Sequence, residues 1–491
     1  MQENSWRESD SFNELEPLSS LLADLSQLTE SDDETAQPPQ KDYRRRKAAV
    51  ILIVIWSSTI ALHLVTWGYW LVLGLTTLMG VHAVRLLLAR PVSLPPPLLD
   101  GELATAPRVS LMVAAKNEEA VIGRLVKLLC NLDYPHDRYE VWAIDDDSSD
   151  RTATILAELA KQYPQLRVVR RAANAPGGKS GALNQVLPLT QGDIIAVFDA
   201  DAQVPADLLR RVVPLFRRES LGAVQVRKAV SNVSSNFWIR GQVAEMALDT
   251  YIQQQRIRLG GIGELRGNGQ FVRRAALEAC GGWNEETITD DLDLTIRLHL
   301  NRWDIDVTLL PAVQEEGVVK AIALWHQRNR WAEGGYQRYL DYWRPILSNR
   351  MGTRKTIDLG LFWLTQYFLP SAAIPDALMA LIRHQPMVWA PVGGLTVQLS
   401  LLGMVFGLRR IHRQEHALQR LSEAPVDASP RRSLRRQITL FLQALLGTLY
   451  MFHWCPVVAS TALRMSVRPK RLKWVKTAHH GESAFQLNLP Q

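Results

Sequence analysis

At 491 residues, with 47% hydrophobic and 21% charged residues and a net charge of +7, the chain has room for two or three domains, or for one large domain plus membrane segments. Three widely spaced cysteines with no CxxC pair exclude a disulfide framework and a zinc site of ordinary spacing. The basic excess flanks apolar runs (RRRK at 44–47, RPKRLK at 468–473), which suits an anionic membrane surface and argues against nucleic acid as a partner.

Residues 1–42 hold eleven acids against Arg7 and Lys41. They read as a disordered tail with one leucine-bearing patch able to form a weak amphipathic helix. Because the acidic stretch precedes the apolar one, no signal-peptide layout is expected. Residues 48–88 then carry no charged side chain except Arg85 and two histidines. Some 40 residues are twice the roughly 20 needed for one crossing, so 43–90 is expected to form a hairpin of two spans, with Trp67 and Trp70 at the interface. A proline-rich stretch, SLPPPLLD, is a stiff exit linker.

From 107 to 318 the pattern changes to short apolar strands (RVSLMVAA, YEVWAIDDD, LRVVRR, DIIAVFDAD) alternating with amphipathic helices. This predicts an α/β domain with a mainly parallel sheet, Rossmann-like, inserted between membrane segments. Ligands of such sheets bind at the carboxyl ends of the strands, and the acids cluster there. Asp199 and Asp201 follow a run that reads as a buried strand; at i and i+2 they would face one way. Two such carboxylates suit a hard divalent cation, Mg²⁺ or Mn²⁺. Asp145, Asp146 and Asp147 close the second strand, and with Ser148, Ser149 and Asp150 they also read as a helix start. GGKSGALN at 177–184 is a glycine turn that carries Lys179 into a helix and exposes N–H groups to phosphate. In TITDDLDL, Thr287 with Asp290 reads as a capping box and Thr289 as a second candidate cap, which leaves one acid for chemistry.

Residues 319–350 are helical and aromatic, and read as interface helices. Gln327, Arg330 and Trp331 fall at i, i+3 and i+4 on one face, where arginine grips phosphate and indole offers a stacking surface. Trp325, Trp331, Tyr336, Tyr339, Tyr342 and Trp343 suggest a helix lying at the bilayer surface. The region 355–466 holds apolar runs at 357–382, 387–408 and 438–465, read as two to four spans. The last run is too short to cross twice easily, which leaves a tight hairpin and a re-entrant segment both open. Residues 467–491 form a basic tail, placed in the cytosol by the positive-inside rule.

In combination and in this order, the DDxS, GGKSGALN, DxD, TDD and QxxRW elements resemble family 2 glycosyltransferases of the GT-A fold, in the membrane-embedded branch that includes cellulose and hyaluronan synthases. The resemblance covers roughly 107–335. It implies that Glu118 and Asp146 hold the ribose and uracil of a UDP-sugar and that Lys179 lies near the nucleotide. It further implies that Asp199 and Asp201 bind the metal, that Asp291 is the catalytic base, and that Gln327, Arg330 and Trp331 lie over the diphosphate and the acceptor. Two departures stand out: TDD replaces the family's TED, and ELRGNGQ replaces the processive synthases' FFxGT, which argues against polymer synthesis. The expected activity is inverting transfer of glucose from UDP-glucose to 1,2-diacylglycerol by an integral membrane enzyme with a cytosolic catalytic domain. A processive polysaccharide synthase and a non-catalytic sugar-nucleotide-binding scaffold are the alternatives.

Overall fold

A computed structural model of the protein describes residues 40–90, 95–232, 236–422 and 430–468. The acidic tail, its leucine patch and the basic C-terminal tail therefore lie outside the described residues, apart from a few at their edges. In chain order the chain runs α1 (Gln40–Leu64), α2 (Gly68–Leu88), β1 (Val109–Ala115), α3 (Ile122–Cys130), β2 (Tyr139–Asp145), α4 (Thr152–Gln162), β3 (Leu166–Arg170), α5 (Gly178–Val186) and β4 (Ile194–Phe198). It continues through α6 (Leu208–Val212), β5 (Leu221–Val230), α7 (Phe237–Arg258), β6 (Gln270–Arg273), α8 (Arg274–Ala279), α9 (Asp290–Leu300) and β7 (Asp304–Glu315). The last part is helical: α10 (Ala321–Leu347), α11 (Thr353–Trp363), α12 (Leu369–Arg383), α13 (Ala390–Ser422), α14 (Pro430–Met451) and α15 (Trp454–Val467).

The seven strands form one sheet in the order β3-β2-β1-β4-β6-β5-β7. Four of its six pairings are parallel, and β6 runs antiparallel to both neighbours. Period-2 side-chain geometry divides each central strand between two cores. In β4, Ile194, Ala196 and Phe198 pack with helices on one face, whereas Ile195 and Val197 join Leu183 and Leu294 on the other. A sheet covered on both faces needs apolar residues at every position, which is why β4 reads as an unbroken hydrophobic run.

Four stretches are long and apolar enough to cross a membrane: Tyr43–Leu64, Gly68–Leu88, Ala390–Glu415 and Arg435–Val467. Trp67, Tyr69 and Trp70, at the turn between the first two, are exposed, as interfacial aromatics are. The run 357–382 is not among the four. A π turn at Leu364–Phe368 separates α11 from α12, and Asp358 and Asp376 within the run are both buried. The Asp376 carboxylate sits 2.7 Å from His63 Nε2 and accepts from the amides of Val388 and Trp389. The final run breaks at Phe452 and His453; α14 packs on α7 and α15 on α1.

Two joints couple the α/β domain to these helices. Arg44 in α1 forks onto Asp341 of α10 with two 2.8 Å bonds, and Lys47 Nζ donates to the Leu340 carbonyl. Gln255 of α7 donates to the carbonyls of Leu86 and Ala89 at the end of α2. The aromatic helix expected at the bilayer surface proves in part to be such a joint. Tyr336 and Tyr339 are buried against Tyr367, with ring centroids 4.8 and 5.5 Å apart, while Trp343 remains exposed. An amphipathic pattern records which face is apolar, and that face met protein at these positions.

Candidate active site

Loops at the carboxyl ends of the strands build the site. After β1, the Glu118 amide donates to Thr152 Oγ1 at 2.8 Å, and Glu118 is buried. After β2, the three successive acids separate by role. Asp145 is fully buried and accepts from the Ser148 amide, whereas Asp146 receives Arg171 Nη1 at 2.5 Å. Arg171 also donates to the carbonyls of Pro176 and Gly178, which fixes the turn that delivers Lys179. Asp150 accepts from the amides of Thr152 and Glu119. The helix-start reading therefore applies to Asp150, and Asp146 faces the site.

The structure corrects the expectation for Asp199 and Asp201. Strand β4 ends at Phe198, and 199–201 turn, closed by the Ala202 amide on the Asp199 carbonyl at 3.0 Å. Strand alternation therefore does not govern where these acids point. Asp199 lies 2.5 Å from Lys179 Nζ, and its amide donates to Asn268 Oδ1. Asp201 is buried and accepts from the Glu316 amide at 3.0 Å. Sequence reasoning missed Asn268, which lies in the RGNG loop before β6. Gly267 there has φ +80° and lies close to Asp291, 3.6 Å from Oδ2 to the site of a Cβ, so a side chain at 267 would meet both strain and the carboxylate.

The capping expectation also changes. Helix α9 begins at Asp290 after Thr289, but neither threonine side chain caps it, and Thr289 Oγ1 is buried without a partner. The first turn instead supplies the Leu292 amide to Asp291 Oδ1 at 2.9 Å. Thr289 packs against α10 where only glycine fits: a Cβ on Gly334 would lie 2.2 Å from its hydroxyl. That close approach sets the TDD segment against the helix carrying Gln327, Arg330 and Trp331.

One cavity of about 1750 Å³ gathers these pieces. Glu118, Asp146, Lys179, Asp199, Asp201 and Asp291 line it, as do Gln327, Arg330 and Trp331. Lys228, also missed, stands at its wall 2.9 Å from Glu315 and 5.5 Å from the Trp331 ring centre. It sits inside a strand, where no motif distinguishes it from a structural lysine. Beneath the loop, Glu264 is fully buried at 2.7 Å from Arg266 and 3.2 Å from Arg338. Burial works against its ionisation, but Arg338, Arg266 and Arg256 prevail and hold it well below the usual carboxylate range. This network braces Arg266, whose charge acts on Asp291.

Electrostatics distinguish the acids. Burial, reinforced by the charge of Asp290, pushes the Asp291 carboxyl up to about 6 against the opposing pull of the Leu292 amide, Arg266 and Lys179. The amide at the helix start favours the ionised form, yet desolvation wins, which leaves a stronger base than an ordinary aspartate. Lys179 is held above its usual value: burial lowers it, and Asp199, Asp290 and Asp291 more than compensate. Burial lowers Arg330, with Asp199 and Asp291 pulling the other way. If Asp291 must be ionised, kcat/KM falls on the acid side with a midpoint near 6, rather than the ~4 of a solvated aspartate. A pH profile of initial rates checks this; a plateau continuing down to pH 5 contradicts it.

Among the described residues, no group of three His, Cys, Asp or Glu is arranged to hold a metal alone. Asp199 and Asp201 offer two hard carboxylates at the wall of this roomy cavity. This is the donor set for a cation that completes its shell with water and phosphate oxygens.

Residues 110–281 match the family model for glycosyl transferase family 2. A β-monoglucosyldiacylglycerol synthase from a Nostoc species is 62% identical over 484 residues, covering 98% of this chain and 99% of that one. A protein of the same name from a Synechocystis species is 54% identical over 490 residues, covering 99% of each. Among solved structures, a mannosyltransferase from Pyrobaculum calidifontis in complex with GDP-Man and Mn²⁺ aligns at a TM-score of 0.50 with 21% identity, covering 81% of this chain and 99% of that one. At that identity the likeness speaks to the fold.

Proposed function

This chain belongs to the β-monoglucosyldiacylglycerol synthases of glycosyltransferase family 2, and from that premise we propose that it transfers one glucosyl unit from UDP-glucose to 1,2-diacylglycerol. The observation that carries the reading is the single cavity in which Asp291, with its raised pKa, shares walls with Lys179, Asp199 and Arg330.

Asp291 takes the proton of the acceptor hydroxyl as that oxygen attacks C1 of the sugar from the face opposite the nucleotide. The C1–oxygen bond to the diphosphate breaks as the new bond forms. One displacement inverts the centre, so an α-linked donor yields a β-glucoside. Lys179, Lys228 and Arg330 place positive charge where the leaving diphosphate gathers negative charge. A Mg²⁺ or Mn²⁺ held by Asp199 and Asp201 would add Lewis-acid neutralisation of the same group. Glu118 and Asp146 hold the nucleoside, and Gln327 and Trp331 cover the diphosphate and the incoming hydroxyl. The α/β domain lies at the Arg44–Lys47 end of α1, which by the positive-inside rule is the cytosolic end. Orientation in a plasma or thylakoid membrane follows from the same rule.

Product analysis tests the reading. Purified full-length protein given UDP-[¹⁴C]glucose and 1,2-dioleoylglycerol in mixed micelles is expected to form a labelled monoglucosyl lipid that a β-glucosidase cleaves. A water-insoluble polymer would point instead to a polysaccharide synthase, and donor binding without turnover to a scaffold.

A further inference from the structure

We infer that the catalytic cavity continues as an acyl-chain arm between α2, α11 and α13, through which a two-chain glyceride reaches Asp291 from within the bilayer. The inference rests on the proposed activity and assigns the acceptor's place. A ligand site ordinarily encloses ~300–1000 Å³, and this cavity, at about 1750 Å³, exceeds what a sugar nucleotide alone requires.

The excess lies among membrane helices. On α2, Met79, His82, Ala83 and Leu86 line it, at i, i+3, i+4 and i+7, hence on one face. From 79 to 86 is ~10 Å of helix, about a third of a ~30 Å hydrocarbon core. Leu395 and Leu399 of α13 line the same space, and α2 and α13 both belong to the four candidate spans. The opposite side of α2, with Leu78, Val81 and Leu88 strongly exposed, is the side left for lipid. The lining face is therefore separate from the outer surface.

The π turn adds an independent observation. Thr365, Gln366 and Tyr367 all line the cavity. Three consecutive residues spread over more than half the circumference of an ordinary helix, and a widened turn, which often marks functional positions, brings them to one space. Among the described residues, neither the Gln366 amide nor the Ser400 hydroxyl has a protein hydrogen-bond partner, and both line this cavity. They are donors suited to the two ester carbonyls of a diacylglycerol. The chains then lie along Met79, Ala83, Leu395 and Leu399, and the free hydroxyl points to Asp291.

The test uses the full chain in mixed micelles with 1,2-dioleoylglycerol, 1,2-dioctanoylglycerol and a diacylglycerol bearing a diazirine on one chain. Ala83→Trp and Leu399→Trp fill the arm from two different helices. Each is expected to lower kcat/KM for the dioleoyl acceptor by about tenfold or more, with a smaller loss for the dioctanoyl acceptor. Unchanged UDP affinity shows that each variant is folded. In the wild type the photolabel should fall on 79–86 and 395–400. Label confined to the outer faces of the spans, or two folded variants that use both glycerides as the wild type does, overturns the arm. A wild type that glucosylates neither glyceride overturns the proposed activity instead, while the label still reports on the arm.

Discussion

Replacing Asp291 with asparagine is expected to lower kcat by about 10²–10⁴-fold, the usual contribution of a positioned base, while UDP affinity stays within a small factor. Asparagine keeps the shape and the acceptor oxygen that receives the Leu292 amide, so α9 has no reason to unwind. What is lost is the only function that requires a titratable oxygen. The same change has a second signature. Because the folded pKa lies above the ordinary carboxylate value, the ionised form costs stability at neutral pH. The shift from 3.8 to about 6 corresponds to about 3 kcal/mol. That cost is full above about pH 6 and disappears below the unfolded pKa, near 4. The variant should therefore melt above the wild type at pH 8, with the gap closing as pH falls through 6. Turnover of Asp291→Asn within tenfold of wild type would remove Asp291 as the base, and a melting gap independent of pH would show that burial does not strain it.

Asp199→Asn is expected to lower kcat/KM by about 10²–10³-fold and to make donor binding insensitive to EDTA. Asp199 is where the site's charges meet. Lys179 pairs with it at 2.5 Å, Lys228 and Arg330 both feel its charge, and Asn268 holds its amide. Asparagine leaves those cations with less negative charge nearby and provides a poorer ligand for a hard cation. UDP binding with and without Mn²⁺, read by calorimetry, separates the two effects. If Mn²⁺ tightens UDP binding in the variant as much as in the wild type, Asp199 is not a metal ligand.

Much of this chain was legible because local patterns carry it. Alternating apolar strands and amphipathic helices specified the α/β domain, since each segment must bury one face and its period shows which kind of element does so. Long uncharged runs marked the membrane flanks for the same reason. Acids at strand ends pointed to the cavity that Asp146, Asp199 and Asp201 line, because few other places in a doubly covered sheet leave them beside solvent.

Other features belong to the tertiary structure. Which of Asp145, Asp146 and Asp150 faces the cavity depends on Arg171 and Thr152, brought in by other elements. Asp199 and Asp201 sit in a turn whose geometry no periodicity describes, and Asn268, 69 residues from Asp199, reaches it only once β6 pairs with β4. Tyr336 and Tyr339 read as a lipid-facing pattern until α11 and its π turn placed Tyr367 against them. The pKa of Asp291 is the clearest instance: its sequence says only that a carboxylate opens a helix. The amount of water excluded around it, and the distances to Asp290, Arg266 and Lys179, exist only after packing. Short-range sterics and hydrophobic burial write themselves into neighbouring residues, whereas charge coupling and desolvation act through space between segments that the chain order keeps apart.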